Sequence, residues 1–155
     1  MIFIPGNVPS LKNGKVKTAG GIFASRTVSK YLRSLGIQGF SSRKKTVHGY
    51  VDPTRRNIME DFRDEIEKMR IGKENPLFIG FHQVRNSKRK FDFGNSIELI
   101  QDLFTAHNFI EDDNVEFMLP VPMTQTGVLP SIKNLRTEKW YTVDKENPGV
   151  YVKIF

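Results

Sequence analysis

Between Phe91 and Met118 the chain carries seven acids and no Lys or Arg: Asp92, Glu98, Asp102, Glu111, Asp112, Asp113 and Glu116. Just before this stretch, Arg85-Asn-Ser-Lys88-Arg89-Lys90 places four cations in six residues. Clustered carboxylates can capture a divalent ion that activates water and stabilises a leaving oxygen, and adjacent cations can hold a phosphate backbone. That pairing is what a metal-dependent phosphodiesterase needs. The plainer alternatives are an acidic helix face in solvent and, for Asp112 and Asp113, an Asx turn ahead of a strand. The chain has no Cys, so metal chemistry must use carboxylate, Asn, His or water ligands, a set suited to Mg²⁺ or Mn²⁺. Of the three His, His107 falls on an apolar helix face and reads as structural, His48 lies in a basic segment, and His82 follows strand residues. None is needed as general base where a divalent ion lowers the pKa of water.

The basic residues are unevenly spread. Residues 1 to 56 hold 11 Lys/Arg and one acid, Asp52, in a chain of net charge +7 and pI about 9.7. Cations interleaved with Gly, Ser, Phe and Tyr rather than with acids suit a polyanion, although a solvated basic surface without a partner gives the same pattern. Lys12, Lys15 and Lys17, then Arg43, Lys44 and Lys45, then Lys88, Arg89 and Lys90 are the expected contacts to backbone phosphates.

A chain of 155 residues forms one domain with a proper core, and no linker or repeat divides it. Ile2 to Ile4 predicts a short strand, followed by a loop rich in Gly, Lys and Asn to about Gly21. Val28, Tyr31, Leu32 and Leu35 predict a helix over Ser25 to Leu35, closed by Gly36. Thr46 to Val51 predicts a strand. Asp52-Pro53 has the form of an N-cap and first helical residue, opening a helix in which Ile58, Phe62, Ile66 and Met69 share a face to about Arg70. Pro76 to Val84 predicts a central strand. Asn95 to Asn108 predicts a helix with Ile97, Ile100, Leu103, Phe104 and His107 on one face and Asn95, Glu98 and Asp102 opposite. Val115 to Val121 predicts another strand, and Trp140 to Val143 with Val150 to Phe155 a final hairpin. This order implies an α/β chain of the α+β two-layer kind, a mixed β-sheet with helices packed on it. The first residues, with Pro5-Gly6, do not form a signal peptide, and no apolar run reaches the roughly 18 residues of a membrane span. The expectation is a soluble cytoplasmic protein.

Lys90-Phe-Asp92-Phe-Gly94-Asn95, then a helix, then Asn108-Phe-Ile-Glu111-Asp112-Asp113 resembles the core of the RusA-like Holliday junction resolvases. In that family a basic strand end leads into Asp-x-Asp-Asn, an amphipathic helix and Gly-[aromatic]-x-x-Asp-Asp, and the spacing from Asp92 to Asp113 matches without a gap. A looser likeness covers Ile4-Pro5-Gly-Asn-Val-Pro9-Ser10-Leu-Lys12-Asn13, similar to the family's first strand and its Pro-rich, Asn-containing loop. The resemblance spans residues 1 to 13 loosely and 85 to 122 well.

The resemblance implies a RusA-like fold and a homodimeric, Mg²⁺-dependent endodeoxyribonuclease, with Mn²⁺ as a substitute, that resolves four-way DNA junctions by paired nicks in recombination and repair. It also implies a bacterial, phage or prophage origin. Asp92 and Asp113 carry over as metal ligands, with Asp112 beside them, and Asn95 as the motif Asn. Asn13 and the basic groups Lys12, Lys15, Lys17, Arg43 to Lys45, Arg85 and Lys88 to Lys90 are the implied DNA contacts. Two positions depart: the second motif Asp is Gly94, and the family's helix Lys falls on Glu98. The expected site is therefore rearranged, with Asp92, Glu98 and Asp113 as ligands, Asn95 as helper and Lys88 or Lys90 as the cation. Glu98 has an alternative role as capping-box partner of Asn95. The alternative function is a non-catalytic junction-binding protein on the same fold, its chemistry lost with the Asp at position 94.

Overall fold

The computed structural model describes residues 1–10, 15–18, 21–37, 40–41, 46–47, 56–131, 133–134 and 137–155. Strand β1 (Ile2–Pro5) buries Ile2 and Ile4 on one face. The segment expected to be a loop to about Gly21 instead contains β2 (Lys15–Thr18) and β3 (Gly21–Ala24), paired antiparallel. The alternation Lys15-Val-Lys-Thr18 carried that signal. Helix α1 (Arg26–Ser34) is capped by Ser25, whose Oγ accepts from the Val28 N–H at 3.3 Å. It buries Val28, Tyr31 and Leu32, with Leu35 beyond. Gly36 follows at φ +74°, and a Cβ there would strike the Arg56 carbonyl oxygen, so the turn needs glycine.

Strands β4 (Phe40–Ser41) and β5 (Thr46–Val47) form a second short pair. Residues 48 to 55 lie outside the described residues, and with them the remainder of the expected Thr46 to Val51 strand, His48 and the expected Asp52-Pro53 helix start. The helix expected to run through to Arg70 is two pieces, α2 (Ile58–Asp61) and α3 (Arg63–Arg70). Asn57 caps α2 by accepting from the Met59 N–H at 3.0 Å. At Phe62 the chain tightens, its N–H reaching back only three residues to the Met59 carbonyl at 3.2 Å.

Strand β6 (Leu77–Arg85) leads to helix α4 (Phe93–Ala106), and β7 (Met118–Pro122), β8 (Tyr141–Val143) and β9 (Gly149–Ile154) complete the chain. The main sheet runs β1-β9-β6-β7, with β8 beside the far end of β6. β7 and β8 lie parallel to β6 along one side, and β9 antiparallel along the other. The expected final hairpin is thus corrected: β8 and β9 do not pair, because β6 stands between them. Asp144 makes this crossing. Its N–H donates to the Arg85 carbonyl at 2.9 Å, and its Oδ1 accepts from Glu146 N at 2.9 Å and Asn147 N at 3.1 Å. This Asx turn bends the chain past the end of β6.

Ile2 and Ile4 of β1, Val150, Val152 and Ile154 of β9, and Ile79 and Phe81 of β6 share one sheet face by register and form one core with the apolar stripes of α1, α3 and α4. The result is the expected α+β arrangement, a mixed sheet with helices on one face. No helix of the described residues is long and apolar enough to cross a membrane.

Two histidines tie this frame together. His82 is fully buried, Nδ1 donating to the Met123 carbonyl at 3.0 Å and Nε2 3.2 Å from Thr142 Oγ1, so it braces β6. His107 is 4% exposed. Because Asn57 Oδ1 accepts from Met59 N, its Nδ2 donates to His107 Nε2 at 2.9 Å, and His107 Nδ1 donates to the Leu103 carbonyl at 2.8 Å. That fixes the neutral Nδ1–H tautomer. Burial lowers both pKa values, and near His107 Glu60 opposes this while Arg63 adds to it. Unfolded, both return to about 6.5, so the unfolded chain takes up more protons below that pH. Stability present above pH of about 6.5 should fall as pH drops, by up to about 1.4 kcal/mol per pH unit for each His. Urea midpoints at successive pH values read this slope, and His107→Gln should remove about half of the contribution that the two His make.

Candidate functional site

A cleft of about 550 Å³ opens where four segments meet. The turn after β1 contributes Asn7 to Ser10, the start of α1 Ser25 and Thr27, the end of β6 Arg85, and the entry to α4 Lys90, Phe91, Asp92, Asn95 and Ser96. Gly6, at φ +94°, turns the chain out of β1, its N–H donating to the Pro148 carbonyl at 2.7 Å. Asn7 to Ser10 and Lys90 to Ser96, far apart in sequence, both contribute residues to this cleft.

Its chemistry favours an anion. Two helices begin here: α1 has no acid at its cap or in its first turn, leaving the positive end of its dipole unopposed, whereas α4 opens on the carboxylate of Asp92 as its N-cap. Among the described residues, Arg85 and Lys90 share the lining with a single carboxylate, Asp92. Asn7 Oδ1, Ser10 Oγ and Arg85 Nε are buried without a hydrogen-bond partner among the described residues, although such groups are costly unless paired. All three belong to residues of the lining. The Arg85 guanidinium lies 4.7 Å from the Phe91 ring centroid, and burial pushes its pKa down, yet an Arg in a protein keeps its charge.

A second groove, of about 750 Å³, joins the cleft at Thr27 and is lined by Arg26, Thr27, Ser29, Lys30 and Arg33. Among the described residues, three cations and no acid lie along it. Sequence reasoning counted them as basic residues but did not assign them to the interface. Their spacing at positions 26, 30 and 33 of a helix was the available signal. Asn7, Ser10, Ser25 and Thr27 were likewise not singled out, although Asn7 and Ser10 stand in the Pro-rich loop that was.

Asp92 is the N-cap of α4, its Oδ1 accepting from the Asn95 N–H at 3.3 Å. Asn95 therefore sits at the third helical position, which removes the capping-box role weighed for Glu98. Glu98 lies one turn further along and is not on the cleft lining, and Asp102, expected on the same face, is buried at 6% exposure. Asp112 and Asp113 follow the buried Phe109 and Ile110 and are partly exposed. Asp112 accepts from the Asp113 N–H at 2.8 Å through Oδ1 and from Asn114 Nδ2 at 2.9 Å through Oδ2, the Asx turn weighed for this pair.

Among the described residues no group of three or more His, Asp or Glu is arranged to hold a metal ion. Of the expected ligands Asp92, Glu98, Asp112 and Asp113, only Asp92 lines the cleft. Of the expected DNA contacts, Arg85 and Lys90 line it, while Lys88 and Arg89 are exposed in the turn between β6 and α4. Lys15 and Lys17 stand two apart on β2. Lys12, Asn13, Arg43, Lys44 and Lys45 lie outside the described residues. No family model, no curated protein and no solved structure matches the chain.

Proposed function

We propose that this chain is a structure-specific endodeoxyribonuclease, dependent on Mg²⁺ or Mn²⁺, that binds four-way DNA and nicks paired strands. One observation carries the reading: the two resolvase-like stretches, Ile4 to Asn13 and Lys90 to Asp113, contribute to a single cleft whose groups suit a phosphate. Arg85, Lys90 and the start of α1 receive the backbone, and Arg26, Lys30 and Arg33 extend the track along α1. Asn7 and Ser10 line the same cleft, where the Asn7 Nδ2 and the Ser10 hydroxyl are groups able to donate to a phosphate oxygen.

Mg²⁺ often keeps several waters and takes only one or two carboxylates together with substrate phosphate, so an exposed Asp92 on a phosphate cleft fits such an ion. Asp92 would hold it from the cleft lining, with Asn95 beside it. A bound divalent ion supplies charge for the developing phosphorane and lowers the pKa of water. The protein's own part is to fix Asp92 at the helix start, place phosphate against Arg85 and Lys90, and exclude misaligned strands. Paired nicks on a two-fold junction call for two such sites, hence a homodimer.

The second reading, a junction-binding protein without chemistry, is favoured by a specific observation: among the described residues Asp92 is the only acid on the cleft lining, and Gly94 stands where the family pattern has Asp. A labelled four-way junction and a matched linear duplex, each with Mg²⁺, Mn²⁺ or EDTA and over a salt series, separate the two. Paired nicks with either metal are the expected result. Binding without nicks would leave only the second reading. Affinity should fall with log salt at a slope near −0.9 per phosphate neutralised, and failure to bind either DNA would end both readings.

A further inference from the structure

Next to the phosphate cleft stands a cluster of four aromatic rings that the fold does not bury. Phe91 packs against Trp140 at 5.7 Å and Tyr141 at 5.3 Å between centroids, and Phe93 against Trp140 at 5.3 Å. Trp140 and Tyr141 meet at 5.3 Å. Only Phe93 packs on the hydrophobic core; Phe91 and Trp140 are part-exposed, and Tyr141 is 39% exposed. Part-buried rings of this size keep apolar surface within reach of a ligand. The cluster is continuous with the cleft, because Phe91 and Arg85 belong to both: Phe91 is on the lining, and the Arg85 guanidinium lies over its ring.

We infer that the Phe91–Trp140–Tyr141 cluster is a stacking shelf for an unpaired DNA base whose phosphate is held in the adjoining cleft. This rests on the reading of the cleft as a nucleic-acid interface and adds to it a source of selectivity. In an intact duplex each base spends its faces on its neighbours in the stack, so a protein aromatic ring finds only edges. A base at a strand exchange point, or in a single strand, has a free face. Rings joined edge to face are held rigid before the DNA arrives, which reduces the ordering cost of binding. Arg85 links the two subsites, with its guanidinium against the shelf and its Nε buried at the cleft. The shelf thus makes the protein prefer branched or unpaired DNA over duplex with the same phosphates.

Trp140 is the only tryptophan in the chain, so its emission reports on the shelf alone. The intact protein in EDTA, where nicking cannot consume the DNA, is titrated with a four-way junction, an oligothymidine strand and a linear duplex. The anisotropy of a label on each DNA measures binding independently. The expected result is strong quenching of Trp140 by the junction and the single strand, and binding of the duplex with emission unchanged. Tyr141→Ala and Trp140→Ala should each weaken oligothymidine binding about tenfold, with duplex binding retained, and Trp140→Phe should stay near wild type. Far-UV circular dichroism and duplex binding check that the variants are folded. Junction and oligothymidine binding by anisotropy with unchanged Trp140 emission would overturn the shelf and leave the cleft reading standing. Absence of binding to every DNA would overturn both.

Discussion

Asp92→Asn should leave the fold intact and reduce metal-dependent nicking about a thousandfold or more. The two halves of this expectation have separate causes. Asn caps a helix about as well as Asp, and the cap uses one carbonyl-type oxygen of the side chain, Oδ1, toward the Asn95 N–H. Losing the charge removes the carboxylate that would hold a divalent ion at the cleft. Such an ion is worth several kcal/mol to a developing phosphorane, and about 4 kcal/mol corresponds to about three powers of ten at 1.36 kcal/mol each. Asp92→Ala serves as the contrast, since it loses the cap as well and should lower stability by about 1 kcal/mol. The measurement is single-turnover nicking of a junction with Mg²⁺, alongside thermal melting of each variant. Nicking by Asp92→Asn at the wild-type rate would show that Asp92 is a cap and nothing more.

Phe81→Ala should have the largest effect on stability. Phe81 is 1% exposed on β6, paired across to Val152 of β9 and to Pro122 of β7, and its carbonyl accepts from Met123 N at 3.1 Å. Truncating a buried Phe costs about 3–5 kcal/mol, from lost transfer energy and the cavity left behind. A domain has only about 5–15 kcal/mol to lose. Because β6 is the strand that both sides of the sheet share, the surrounding side chains cannot easily collapse inward to fill the space. Ile79→Val, on the same strand and face and also fully buried, should cost only about 0.5–1.5 kcal/mol. Urea unfolding of the two variants checks the ratio, and a Phe81→Ala midpoint close to that of Ile79→Val would mean that this part of the core repacks freely.

Elements with a long apolar period were legible in the sequence. Val28, Tyr31, Leu32 and Leu35 marked α1, and Ile97, Ile100, Leu103 and Phe104 marked α4, because helical spacing reports directly which face is buried. The Phe- and Ile-rich run from Pro76 marked β6 as central. Partnership was not legible. Period and turn residues reveal that Tyr141 to Val143 and Gly149 to Ile154 are strands, but a short connection between them looks the same whether they pair or pass to opposite sides of a third strand. The Asp144 turn decides that, through hydrogen bonds that no pattern encodes. The start of α4 was misplaced by a few residues because Asp92 and Asn95 are both good caps, and the choice depends on where Phe91 and Phe93 pack. At the site, the sequence identified Asp92, Asn95, Arg85 and Lys90. It missed Asn7, Ser10, Ser25 and Thr27, which become neighbours of Asp92 only through folding.

The placement of β9 between β1 and β6 has a consequence for synthesis on the ribosome. Residues 2–5 join the main sheet only by pairing with residues 149–154, and the wall of the cleft formed by Asn7 to Ser10 hangs from those first residues. The earliest translated wall of the cleft therefore waits for nearly the last translated strand. Until then α4 and Asp92 can form locally, but the cleft is open on the side of Asn7 to Ser10. A nascent or C-terminally truncated chain therefore lacks this wall in its final place, and the cleft is completed in one step when β9 pairs with β1.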